Sequence, residues 1–280
     1  MDPTQLGIFA STFSRPSLAG ALDAVKAHGF KNVHFDMACV GLPSLPDRID
    51  PELCKQIRRE MVARDLTMVS VSGTYNMAHP NPEERQRGLR RLGVLAGACQ
   101  GLGTSVITLC TGTRDRHNQW RYHPDNGTAE AWSDMAGSIE AAVVIAAEHD
   151  VTLAFEPEVS NVVDSAAKAR RLLDEMGSPR LKIIIDGANL FPAATLSRQH
   201  EILDEAFALL GDDIIVAHAK DLDRDGEAGH LAAGTGLLDY DRYLALLRSI
   251  GFAGPLVLHG LAETQVDQCV RFLCARLGES

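Results

Sequence analysis

Residues 181–189 read LKIIIDGAN, a β-branched apolar run that stops on a carboxylate, Asp186, with a glycine directly behind it. A strand this uniformly apolar is suited to burial on both faces, the habit of parallel sheets covered by helices. Three other stretches follow the same pattern: VTLAFEPE at 151–158 carries Glu156, IIVAHAKD at 214–221 carries His218, and PLVLHG at 255–260 carries His259. Outward from these, short β-branched runs alternate with stretches of helical period through the whole chain.

The alternation predicts strands at 6–10, 32–37, 67–73, 104–110, 151–156, 181–186, 213–219 and 255–259. Helices are predicted at 17–28, 51–64, 82–101, 128–149, 161–176, 197–210, 239–250 and 262–277. Repeated strand-then-helix units mean an α/β architecture, and this number of them fits a closed (β/α)₈ barrel, one domain over residues 1–280. A doubly wound open sheet is the competing fold. Against it, the first strand is not followed by G-x-G-x-x-G and no G-x-x-x-x-G-K-[ST] occurs, so the phosphate-cradling turns of nucleotide folds are missing. The long connections 38–50, 111–127 and 220–238 all follow strand C-termini, the face on which barrels build their sites.

With 45% hydrophobic and 23% charged residues, the composition is that of a soluble globule with enough apolar material for a large core. No stretch approaches the length of a membrane span, and MDPTQLGIFASTF at the N-terminus lacks the pattern of a secretory signal, so a cytoplasmic protein without membrane association is expected. The six cysteines form no C-x-x-C pair, which argues against a disulfide scaffold or a thiolate zinc site. A net charge of −10 repels a phosphate backbone, and ERQRGLRR at 84–91 reads as the solvated face of a helix; no nucleic-acid partner is expected.

Glu156, Asp186, His218 and His259 close the last four strands, which are neighbours in a barrel whose strand C-termini share one face. Two carboxylates and two imidazoles suit a borderline or hard divalent ion, Mn²⁺, Co²⁺, Zn²⁺ or Mg²⁺, with positions left for substrate oxygens or water. An unpaired carboxylate at the end of a buried strand is costly, which also calls for a counter-ion.

The order and local sequences of these residues resemble the xylose-isomerase-like TIM-barrel superfamily, in particular its sugar-phosphate isomerase/epimerase group. The resemblance runs over nearly the whole chain, including GTGLLDYDRYLALLRSIGFAGPLVL, which leads from the seventh strand into the eighth. It implies a metal held by Glu after the fifth strand, Asp after the sixth, His after the seventh in an H-x-K-D context, and Glu after the eighth. Glu156, Asp186 and His218-Ala-Lys220-Asp221 match; His259 stands where the family has its second Glu. Asp186-Gly-Ala-Asn189 likewise replaces an Asp-x-x-His.

The resemblance implies a metal-dependent isomerase or epimerase of a small sugar, ketose or sugar phosphate, working through an enediolate. An inosose-type dehydratase on the same metal site and a non-catalytic sugar-binding barrel stay open beside it. An apurinic-site endonuclease is disfavoured by the acidic charge and the missing histidine. Family epimerases pair two glutamates across the substrate; here the pair would be Glu156 with His259, or Glu156 with Glu158. A homo-oligomer is a family-level expectation.

Substrate contacts are expected from Glu158, Asn189, Lys220, Asn76, Trp120 and His34. Lys220 would neutralise developing charge or pair with Asp221 or Asp186. Trp120, in the polar loop TGTRDRHNQWRYHPDN with Arg114, His123 and Asn126, would wall the site or pack the loop down. His79 lies near Asn76, and His34 shares a strand face with Asp36. Gly234-Thr235-Gly236, near His230, could offer backbone N–H groups to a phosphate.

Overall fold

The computed structural model describes residues 2 and 5–278. Eight parallel strands close into a barrel: β1 Leu6–Phe9, β2 Asn32–Phe35, β3 Thr67–Ser72, β4 Val106–Cys110, β5 Thr152–Glu156, β6 Leu181–Asp186, β7 Ile214–Asp221 and β9 Leu256–Leu258. Each pairs with its neighbour in sequence order, and β9 closes the ring by pairing with both β7 and β1. The two-residue strand β8, Leu231–Ala232, lies outside this ring and pairs antiparallel with Lys220 and Asp221 at the end of β7.

The outer layer is α1 Leu18–Ala27, α2 Pro51–Val62, α3 Pro82–Leu102, α4 Ala129–Glu148, α5 Ala166–Met176, α6 Gln199–Leu210, α7 Tyr240–Ser249 and α8 Val266–Leu277. Their starts are written locally. Asp50 and Asn81 each accept a backbone N–H of the first turn ahead of a proline, a residue that loses nothing in a position without an intrahelical acceptor. Gly103, with φ 88°, turns α3 back toward β4 in a conformation that favours glycine.

Two apolar layers result. The larger lies between strands and helices; the smaller fills the barrel with Ala154, Ile184, Val216 and Val257, packed with Phe9, Val69, Val106 and Ile215. Because side chains two apart on a strand share a face, the residues one step beyond these four are Glu156, Asp186, His218 and His259. The polar layer is thus stacked on the barrel's apolar plug by strand periodicity alone.

Two expectations need correction. The fifth helix begins at Ala166 and not at 161, because Asn161 Oδ1 accepts the Gly112 N–H at 2.6 Å and Val162 N–H donates to the Gly112 carbonyl at 2.9 Å. Those bonds tie 161–162 across to the loop after β4, and Ser165 then caps the helix. The seventh strand also runs on to Asp221, where β8 gives it a partner.

Candidate functional site

Ligand atoms of Asp186, His218 and His259 lie within 4.8 Å of one another. Asp186 Oδ2, both ring nitrogens of His218 and His259 Nδ1 are buried without a hydrogen-bond partner. Burying such atoms without hydrogen bonds is costly, and besides one another the close partners they have are ionic, Lys220 for Asp186 and Glu156 for His218. A carboxylate and two imidazoles is a donor set that fits a divalent ion with open positions.

Glu156 borders this trio from the end of β5. Its Oε2 lies 3.1 Å from His218 Nδ1, and its Oε1 accepts a hydrogen bond from Asn189 Nδ2. Burial alone would raise the Glu156 carboxyl, but His218 and Lys220 outweigh it and hold the group at about 2. Glu158, two residues on, is buried without a cation so close; burial, and then the Glu156 charge, push it up to about 8. Asp186 is raised by burial against the pull of Lys220, whose Nζ is 3.3 Å from Oδ2, while the other oxygen accepts Ala188 N–H at 2.9 Å. Burial, and after it Lys220, hold His259 well below the ordinary histidine range and therefore neutral, the form that binds metal.

Above lies a cavity of about 550 Å³ whose lining includes Glu156, Glu158, His218, Lys220, His259, His34 and Trp120. Asp186 is fully buried beneath it. Trp120, about half exposed, stands at the mouth.

Asn189 and Asn76 are outside the lining. Asn189 donates to Glu156 and accepts Gly229 N–H at 2.8 Å, so it orients the carboxylate. Asn76 accepts Thr113 N–H at 2.9 Å and donates to the Asp115 carbonyl at 3.1 Å, fixing the base of the 111–127 loop. Arg114 and Asn126 do the same work from within that loop. Arg114 pairs with Asp134 and Glu130 on α4, and Asn126 bridges Thr113, Arg114 and the Ser160 carbonyl. His79 contacts the Arg116 carbonyl, and His123 accepts Asp125 N–H.

The reading of Gly234-Thr235-Gly236 as a phosphate cradle is corrected: the Gly234 and Gly236 N–H groups donate to Asp221 Oδ2, at 3.0 and 2.9 Å. With Leu222 and Leu238 N–H on Oδ1, that carboxylate uses the loop's donors itself, which leaves Lys220 to Asp186.

Sequence reasoning passed over Phe9, which ends β1 and lines the cavity beside Ser72, Thr108 and Cys110. An apolar strand end reads as core; only its place at the C-terminal rim of β1 could have flagged it.

The family description "xylose isomerase-like TIM barrel" matches residues 22–275. An L-ribulose-5-phosphate 3-epimerase of Shigella sonnei is 24% identical over 192 residues, 69% of this chain and 62% of that protein. The chain thus spans about 62% of the length of such curated relatives. Among solved structures, a D-tagatose 3-epimerase-like protein superposes with a TM-score of 0.76 at 14% identity, covering 98% of this chain and 97% of that one. The 3-keto-D-glucoside 4-epimerase of E. coli gives 0.72 at 16% identity over 97% and 99%. At these identities the structural likeness speaks for the fold. No helix among the described residues is long and apolar enough to cross a membrane.

Proposed function

The chain belongs to the xylose isomerase-like TIM-barrel family, and from that premise we propose that it is a divalent-metal-dependent isomerase or epimerase of a small sugar, ketose or sugar phosphate. The observation that carries this reading is the convergence of buried metal-competent atoms from Asp186, His218 and His259, in reach of one another and none of them hydrogen-bonded, beside an ionised carboxylate, Glu156. Those three residues would hold the ion, Mn²⁺, Co²⁺, Zn²⁺ or Mg²⁺, with Glu156 beside them as a fourth candidate ligand. Bound there, the ion would supply Lewis acidity to a substrate carbonyl.

The rest falls to the chain. Glu156 is charged at neutral pH and is oriented by Asn189, so its carboxylate accepts the proton from the carbon beside the carbonyl. Two partners are open for returning a proton, His259 and Glu158. His259 is held neutral, whereas Glu158, in the same cavity, keeps its proton near neutrality; this supports Glu158 as the donor. Neighbouring carboxyls in opposite protonation states are the arrangement that separates base from acid. Return to the same carbon from the other face is epimerisation; return to the adjacent carbon is isomerisation. Lys220, held charged against its burial chiefly by Asp186 and Glu156, lends positive potential to oxygen atoms that gain charge. Trp120 supplies an apolar wall to the same cavity.

Elemental analysis and Co²⁺ titration of the purified protein come first, followed by a panel of ketoses and ketose phosphates in D₂O. Stoichiometric metal and deuterium incorporated beside a carbonyl are expected. Failure to bind any divalent ion would sink the proposal; a product that has lost water would reassign the reaction to a dehydratase.

A further inference from the structure

Phe9 faces the cavity, yet its ring is occupied on both sides. The His34 imidazole stacks on it with centroids 3.8 Å apart and planes 23° apart, and His259 stacks at 4.3 Å and 15°. Since β1 lies between β2 and β9 in the barrel, the two imidazoles approach from opposite sides. His34 is itself fixed, its Nδ1 lying 2.8 Å from Ser70 Oγ in a buried contact. Ser70, His34, Phe9 and His259 therefore form one row across β3, β2, β1 and the end of β9.

The backbone of His259 is set independently of this row. Its N–H donates to the Ala219 carbonyl at 3.3 Å, and the next residue, Gly260, takes a φ of 69° that favours glycine. What the backbone leaves free is the rotation of the ring. A metal-binding histidine is ordinarily oriented by a hydrogen bond to its second nitrogen. Among the described residues no hydrogen bond holds the His259 ring at either nitrogen.

We propose that Phe9 is a positioning residue whose ring, backed by His34 and Ser70, fixes the His259 imidazole plane toward Asp186 and His218. The stack takes the place of the missing hydrogen bond. This rests on reading Asp186, His218 and His259 as a cation site. It assigns a task to a residue that would otherwise count as core packing, and it leaves Phe9 only a ring edge for a substrate, since both faces are taken.

The test uses Phe9→Leu, which removes the ring, and Phe9→Tyr, which keeps the stack. In EDTA-treated protein, histidine ring-proton NMR of the parent should show His34 and His259 shifted upfield by the Phe9 ring current. Phe9→Leu should abolish the shift at His259, and Phe9→Tyr should retain it. In Co²⁺ titrations followed by visible absorption, Phe9→Leu should bind roughly tenfold more weakly or worse, the usual cost of removing a ligand's support, with a changed spectrum, and Phe9→Tyr should match the parent. Thermal unfolding without metal records any general loss of packing; a stability loss with unaltered Co²⁺ affinity and spectrum would overturn the proposal. If Phe9→Leu does not fold, Ser70→Ala, which unties His34, should weaken Co²⁺ binding several-fold, and an unchanged affinity there overturns it equally. A parent that binds no Co²⁺ defeats the cation-site reading by itself. The ring shifts then still decide, because an unchanged His259 resonance in Phe9→Leu shows that Phe9 does not order it.

Discussion

Asp186 carries the site's most exposed energetic liability, a fully buried carboxylate whose ion pair is Lys220, itself buried. Breaking one partner of such a pair leaves an uncompensated charge, whereas removing both can be nearly neutral. Asp186→Asn should therefore lower the urea stability of metal-free protein by about 3 kcal/mol, and the Asp186→Asn/Lys220→Met double variant should lose less than the single one. A double variant no more stable than Asp186→Asn would show that Lys220 is compensated elsewhere. This pairing was one of two open from the sequence, because Asp221 is adjacent in the chain and Asp186 is 34 residues away. Asp221 is removed from the contest by backbone N–H groups arriving from 222–238, which no local pattern announces. Asn189 is a similar case. Its polar strand-end position is legible, but the direction of its amide, toward Glu156 and Gly229, follows from the approach of β5 and the 220–238 loop.

Among elements, the strands were the most legible, since β5, β6, β7 and β9 are apolar runs bounded by polar side chains, and Asp50-Pro51 and Asn81-Pro82 mark helix starts. The segment 161–165 was not, because its composition permits a helix and only its bonds to Gly112 forbid one. Helix α3 packs on the segment after β3 through Gly88, where an added Cβ would overlap the ring of Tyr75. Gly88→Ala should cost about 1–3 kcal/mol through overpacking, although alanine is the better helix former; calorimetry that finds stabilisation would contradict this contact. Lower in the barrel, Asp213 joins Arg170 of α5 and Lys182 of β6, with 2.8 and 2.6 Å contacts. Burial tends to raise its carboxyl, but the hydrogen bonds from Lys182 and Arg170 prevail and lower it. A lowered folded-state value means the pair's stabilisation is present above the unfolded value, near 3.8, and is lost as pH falls through the folded one. Asp213→Asn should thus be less stable than the parent by about 1 kcal/mol at pH 7, with the gap closing below about pH 4. A gap that persists unchanged in acid would assign the loss to packing.

For the whole molecule, a ligand that binds only the folded barrel must stabilise it by mass action. Divalent ion at about a hundred times its dissociation constant should contribute about 2.7 kcal/mol, a rise of several degrees in Tm that EDTA reverses. An unmoved Tm across Mn²⁺, Co²⁺, Zn²⁺ and Mg²⁺ would count against the site. That an eight-stranded parallel barrel fits this chain best, with Glu156, Asp186, His218 and His259 at the strand ends of one face, was legible in the sequence, and the closed ring bears the fold out. Hydrophobic period and strand order are local properties, and strand alternation puts the polar ends one step above the apolar plug. The tertiary structure decided how those four divide the work. It brought three of them to a common point, gave Glu156 to Asn189 and His218, gave Lys220 to Asp186, and stacked His259 against Phe9. The stagger between strands and the rotations of buried side chains are fixed by neighbours from distant parts of the chain, and a sequence read along its length does not contain them.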